Sequence, residues 1–272
     1  MKKLLKLGFL ILGIYIFLYV NNNWIVTTEH IYESEKVPES FDGFRITQIS
    51  DLHDAVFGNN QERLVEKVRK THPNVIFITG DVIDSNRYNL EQSLVAVRQL
   101  VDIAEVYYVI GNHEVAINQV DEIYEAMREI GVHVMPNTSV TLKHKGGESI
   151  SLIGIEDPLN GHETQEMLNW AMSKVDKERL MILLAHRPEK FNTYVANGID
   201  LVFAGHAHGG QIRFPGLGGL VAPGQGFFPK YTAGLYEDGQ TTMNVSRGLG
   251  NSGVPYRIFN LPEIVVVELK AE

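Results

Sequence analysis

The chain has no cysteine among its 272 residues. Disulfides, thiolate metal sites and cysteine nucleophiles are excluded, so a bound metal must be held by histidine, aspartate, glutamate or asparagine. The redox compartment stays open, because disulfide-free proteins occur in all of them. Long hydrophobic runs are scarce: only Leu7–Val20, within "MKKLLKLGFLILGIYIFLYVNNNW", is strongly apolar and free of charge. Positive charge is also short, with 24 Lys+Arg against 33 Asp+Glu and a net charge of −9. Lys2, Lys3 and Lys6 precede the apolar run and every acidic residue comes after it, so the remainder is more acidic still. Phosphate backbones call for a basic surface, and no nucleic-acid partner is expected. At 44% hydrophobic and 21% charged residues, the composition is that of a folded protein with one large domain or two small ones.

With Leu4 and Leu5 included, the apolar run falls slightly short of the ~20 residues of a usual bilayer span. It is either a signal anchor or a cleaved signal peptide. No small-x-small cleavage site is present after it; Asn21, Asn22, Asn23 and Trp24 come next, and tryptophan favours an interface. An anchor over residues 1–22 is therefore the favoured reading, with residues 23–42 as a polar linker and the remaining domain at 43–272. The lysines before the anchor keep the N-terminus cytoplasmic by the positive-inside rule. The expected location is the cell membrane, single-pass, with the domain outside. No twin-arginine pair is present, which implies export by the general route.

From Gly43 onward the pattern is regular. The apolar segments Phe44–Ile49, Val75–Ile78, Val106–Ile110, Leu180–Ala185 and Leu201–Ala204 are too short for helices and predict buried strands. Helical patterns separate them: Asn60–Lys70, Leu90–Val101, Val120–Ile130 and Glu163–Lys174. Alternation of strand and helix implies an α/β fold. A hairpin is expected from Val140–Lys143 to Ser149–Ile155 across Gly146 and Gly147. The glycine-rich reach from Gly205 to Gly234 reads as a long ordered loop.

The residues just past each strand carry the chemistry. Phe44–Ile49 leads into "SDLHD", Val75–Ile78 into "TGDVID", Val106–Ile110 into "GNHE", Leu180–Ala185 into His186, and Leu201–Ala204 into "GHAH". Each element alone is ordinary turn or cap chemistry. Together they matter, because ligands of open α/β sheets gather beyond the carboxyl ends of the strands. Asp51, His53, Asp81, Asn112, His186, His206 and His208 would then share one crevice. Seven oxygen and nitrogen donors exceed the needs of one ion and suit two that share a carboxylate. In an extended segment, residues two apart share a face, so His206 and His208 are expected to reach neighbouring ions. Such a pair activates water to attack phosphorus in line.

The ordered set D-x-H, G-D, G-N-H-E, H and G-H-x-H resembles the calcineurin-like metallophosphoesterase superfamily, from about Phe44 to Leu269. "GHAHGGQIRFPG", "APGQGFFPKYTAGLY" and "VSRGLGNSGVPYRIFNLPEIVVVEL" resemble its bacterial membrane-anchored branch, whose members are described as phosphoesterases or phosphodiesterases. The resemblance implies a four-layer αββα sandwich of two mixed sheets flanked by helices. It implies that Asp51, His53, Asp81 and His208 hold a first metal and that Asn112, His186 and His206 hold a second, with Asp81 bridging. It implies that His113 is catalytic, protonating the leaving oxygen or stabilising charge. Two divalent ions are implied, among Mn, Zn, Fe and Ca, since N/O ligand sets accept several.

Arg247 either binds a substrate phosphate bidentately or pins the glycine-rich loop. Arg187 reads as structural, Asp54 receives no role, and His30, His72, His133, His144 and His162 match no ligand position. Phe227, Phe228, Tyr231 and Tyr236 form either a lipid- or base-facing wall or, as favoured, ordinary packing. The expected activity is hydrolysis of phosphomonoesters or phosphodiesters, diesters favoured. Lipid- or nucleotide-linked diphosphates are the alternative substrates. A non-catalytic metal-bound module that binds envelope phosphates is the alternative class, and the presence of His113 favours the enzyme.

Overall fold

The computed structural model describes residues 2–272. It opens with α1 (Lys2–Asn23), an apolar helix with mean hydropathy 2.0 that lies almost wholly outside the protein core. By length and composition α1 can cross a membrane.

The chain then builds a first sheet from β1 (Val26–Ser34), β2 (Arg45–Ile49), β3 (Val75–Thr79), β4 (Glu105–Val109) and β5 (His133–Val134). A second sheet takes β6 (Thr138–Lys143), β7 (Ser149–Gly154), β8 (Met181–Leu184) and β9 (Leu201–Ala204). Two small hairpins come next in the glycine-rich reach, β10 (Arg213–Phe214) with β11 (Gly218–Gly219) and β12 (Val221–Ala222) with β13 (Gly226–Phe227). The second sheet is completed by β14 (Gly234–Asp238) and β15 (Thr241–Val245), and the chain returns to the first sheet in β16 (Glu263–Ala271). The sheet orders are β1-β16-β2-β3-β4-β5 and β14-β15-β9-β8-β7-β6. Both are mixed: β2, β3 and β4 run parallel, as do β7, β8 and β9, while β16 opposes β2 and β6 opposes β7.

Strand alternation sorts the apolar residues into three layers. Val75 and Phe77 of β3 meet Ile182, Leu184, Leu201 and Phe203 between the two sheets. Ile76 and Ile78 point the other way, onto α2 (Glu62–Lys70), α3 (Leu90–Leu100) and α5 (Val120–Ile130). On the far side, Met181, Leu183 and Val202 pack on α6 (Thr164–Ala171) and α7 (Phe191–Ala196). Helix, sheet, sheet, helix is the αββα sandwich expected from the sequence.

The stretch 23–42 differs from the linker expected there. It contains β1, which pairs in parallel with β16 from Val26–Glu263 to Ser34–Ala271, and a short 3-10 helix at Glu39–Phe41 whose Phe41 is fully buried. As a half-covered edge strand, β1 carries Thr, Glu, His and Tyr rather than a continuous apolar run, and that hides it in the sequence.

Below the rim that carries the candidate ligands, the sheets are joined by buried polar groups. Gln48 Nε2 donates to the Ala204 carbonyl (3.0 Å), and Asn244 Nδ2 donates to Gln48 Oε1 (2.6 Å). Buried amides of this kind fix the register of one sheet against the other.

Candidate metal centre

Five parallel strands end at one rim, and each delivers a polar side chain just beyond its last residue. Asp51 and His53 lie past β2, Asp81 past β3, His186 past β8, and His206 and His208 past β9. After β4, α4 (Asn112–Ala116) begins with Asn112 and His113. The loops are bonded to one another: Asp51 N donates to the Gly80 carbonyl, His53 N to that of Asp81, and Gly205 N to that of His186.

Asp51, His53, Asp81, His206 and His208 all have positive φ, between 47° and 65°. Left-handed backbone at non-glycine residues costs of order 1–3 kcal/mol each and gathers where function demands it. His206 and His208 therefore do not share an extended segment, contrary to the alternation expected from the sequence. The Ala207 N–H turns back to the Gly205 carbonyl (2.7 Å), and a left-handed, right-handed, left-handed sequence sends the two rings to different neighbours. Glycine at 205 is required by the crowding: a Cβ there would lie 1.9 Å from Ser50 Oγ and 2.6 Å from Asp51 Oδ2.

Two groups of donor atoms result, both buried, with the atoms of each within 4.8 Å of one another. One comprises Asp51, His53, Asp81 and His208; the other comprises Asp81, His186 and His206. In the first, His53 Nε2 lies 3.1 Å from His208 Nε2 and 3.6 Å from Asp81 Oδ2, while His208 Nε2 is 3.4 Å from Asp51 Oδ1. In the second, His186 Nε2 is 3.2 Å from Asp81 Oδ2, 3.2 Å from Asn112 Oδ1 and 3.1 Å from His206 Nδ1. Separations near 3 Å are what ligands show around a cation held by bonds of about 2.1 Å.

The protons at this rim fit that reading. His186 Nδ1 donates to the Thr79 carbonyl (2.7 Å), so Nε2 faces the other donors, and a backbone carbonyl fixes the ring as in metal sites generally. Burial works against charge on His186, yet Asp81 beside it holds the imidazole up at about 10. Burial would likewise raise Asp81, but His186 and His53 keep it ionised. Burial pulls His53 and His208 down to about 3, leaving neutral rings free to give lone pairs. His206 is neutral for the same reason. Asp81, His186 and His206, with the Asn112 carboxamide oxygen beside them, thus converge on one point that a divalent cation could occupy.

Several residues hold this geometry without joining either group. Glu114, which closes "GNHE" and has no role legible in the sequence, is fully buried and accepts from the backbone N–H of Gly111 (2.9 Å), Asp81 (2.9 Å) and Val82 (2.7 Å). Burial and the neighbouring Asp81 push its carboxyl up to about 7. Arg187 is clamped by both oxygens of Asp157, and its Nη1 lies 3.1 Å from His206 Nε2, turning Nδ1 of that ring towards His186. Asp54 accepts from Asp84 N and Ser93 Oγ, which is loop structure.

His113 stands beside the first group, its ring edge-on to His53 at 4.4 Å, and belongs to neither. Its Nδ1 lies 3.0 Å from the Ser85 amide nitrogen, which turns Nε2 to the opposite side of the ring. That atom lies 3.0 Å from Ser252 Oγ. Next to it a cleft of about 480 Å³ is lined by His53, Asp84, Asn86, Arg87 and residues of the 251–255 loop.

A family model described as calcineurin-like phosphoesterase matches residues 44–210, which span every strand end of this rim. The chain belongs to that family. It is a metallophosphoesterase, a hydrolase. It is 31% identical to the metallophosphoesterase YkuE of Bacillus subtilis over 93% of this chain and 88% of that one. Over its whole length it is 28% identical to a metallophosphoesterase of Campylobacter jejuni, covering 71% of it. A transmembrane protein with metallophosphoesterase domain from Danio rerio is 31% identical over 87% of this chain and 55% of its own length.

The remaining sequence candidates divide. Arg247 pairs through Nη2 with Glu263 (2.7 Å), and its carbonyl accepts from the buried Arg257. Tyr231 packs on Phe191 and Tyr236, whereas Phe227 and Phe228 are exposed. His133 stacks on Tyr107, His144 meets Phe41 at a tilt and Phe44 edge-on, and His162 meets Trp170 edge-on. With His30 and His72, they lie outside both donor groups.

Proposed function

We propose that the protein is a dinuclear phosphoesterase that hydrolyses phosphodiesters in preference to phosphomonoesters. The observation that carries this reading is the single buried carboxylate, Asp81, common to both donor groups. Asp51, His53, Asp81 and His208 would hold one divalent ion; Asp81, Asn112, His186 and His206 would hold the other. When bound, such a pair supplies an activated water and neutralises charge on the phosphate oxygens. His113, with Nε2 turned towards the cleft, would give a proton as the imidazolium to the departing alcohol oxygen and be left as the neutral ring. The Ser85 amide against Nδ1 orients the ring so that Nε2 is on the side of the leaving group. The ion pair with Glu263 supports loop pinning as the work of Arg247.

Full-length protein stripped by chelation and resupplied in turn with Mn, Zn, Fe or Ca, then offered a panel of phosphate esters, tests the reading. Turnover should return with metal and be faster on diesters. A protein that holds both ions and cleaves no ester would instead be a binding module.

α1 is proposed as a single-pass anchor with the domain outside, on the strength of Lys2, Lys3 and Lys6 before its apolar stretch. Protease added to intact protoplasts should then digest the domain. Protection until lysis would place the domain in the cytoplasm.

A further inference from the structure

The end of α1 is built into the wall of the cleft. Asn22 Oδ1 accepts from Asn251 Nδ2 (2.8 Å) and from the Arg257 amide (3.1 Å), and buried Asn21 accepts from the Asn260 amide (3.3 Å). One turn earlier, Phe17 meets Phe259 edge-on with ring centres 5.1 Å apart. Asn251, Val254 and Pro255 of that same loop line the cleft, and Ser252 reaches His113. The loop is braced from below by fully buried Arg257, whose guanidinium donates to the Gly250 and Arg247 carbonyls. A span that ends here leaves the mouth of the cleft at the boundary between lipid and water.

The surface around the mouth has matching chemistry. On the loop, Tyr256 is 51% and Phe259 58% exposed. The neighbouring segment is bonded to it, Gln211 Nε2 to the Val254 carbonyl and Arg213 N to that of Ile258, and it carries exposed Phe214 and Leu217. Trp24, 63% exposed, comes directly after α1. Apolar side chains grouped beside an apolar helix, with an aromatic belt at its end, are the signature of a protein face seated in a bilayer interface.

We propose that this rim rests on the bilayer that holds α1 and that the cleft takes phosphate esters carried by membrane lipids. The inference rests on the phosphoesterase reading of the same site and names its substrate class. Water adds its oxygen to phosphorus, the bond from phosphorus to the alcohol oxygen breaks, and the alcohol leaves with the proton from His113. The water proton released in the attack restores that histidine through solvent.

The test uses full-length, metal-loaded protein in liposomes of phosphatidylcholine and phosphatidylglycerol. Two esters share one reacting group: soluble bis(p-nitrophenyl) phosphate, and a p-nitrophenyl phosphodiester of diacylglycerol embedded in the liposome. The wild type should cleave both. Phe214→Ser combined with Leu217→Ser should lose about tenfold or more on the embedded ester and stay within about twofold on the soluble one, as two apolar side chains lose their place in lipid. Separately, a Phe214→Trp variant should be quenched by brominated acyl chains beyond the quenching of native Trp24 and Trp170.

Absence of that extra quenching overturns the proposal, as does equal loss on both esters, which would mark the rim as fold or as a protein-binding face. Wild type active on the soluble ester alone overturns it while leaving the phosphoesterase reading intact. Metal-loaded wild type inactive on both removes that reading as well.

Discussion

Asp81→Ala is expected to leave the protein without either ion and without measurable turnover. Its Oδ2 approaches His53 Nε2 in one donor group and His186 Nε2 in the other, so no other substitution at the rim strikes both at once. Its other oxygen accepts the His113 amide (2.8 Å), which ties the start of α4 to the same point. Asn112→Ala, by contrast, removes one neutral oxygen from the second group and should weaken that ion while sparing the first. Metal content of the purified variants decides the matter. Two tightly held ions in Asp81→Ala would end its assignment as the bridge.

His113→Ala or His113→Asn is the second large effect. Because His113 lies outside both donor groups, metal content and fold should be unchanged, while turnover falls by roughly 10²–10⁴-fold, the range for loss of a general acid. The loss should depend on the leaving group. An alkoxide needs a proton as its bond breaks and nitrophenolate does not, so alkyl diesters should suffer more than bis(p-nitrophenyl) phosphate. Equal loss on both would point to charge stabilisation by the ring, and no loss on any ester would take His113 out of the mechanism.

Most of this site is legible in the sequence because each strand is a short apolar run with its chemical residue set immediately after it. Val75–Thr79 with Asp81 just beyond, or Leu201–Ala204 with His206, announces strand, rim and donor in fewer than ten letters. The hidden features depend on partners distant in sequence. Glu114 matters because three amides from two loops converge on it, and no local pattern records that convergence. The turn at His206–His208 departs from the expected face-sharing because alternation assumes extended backbone, whereas close approach to Asp51 forces left-handed conformations. β1 escapes notice because an edge strand covered on one side needs few apolar residues, and the seating of α1 on the 251–260 loop does so because Asn21 and Asn22 look like any polar helix end.

The pairing of β1 with β16 also sets an order of events during synthesis. β1 leaves the ribosome directly behind the helix, yet its hydrogen-bonding partner is made only after both sheets and all the donor loops. Until then it is an unpaired strand edge, open to pairing with another chain. Its exposed glutamates Glu29 and Glu33, which repel another strand of like charge, make that wait tolerable. When Val26 finally meets Glu263, the carboxylate of Glu263 takes up the Thr28 hydroxyl and the Arg247 guanidinium together, so the closure of the sheet and the setting of the cleft loop are a single late step.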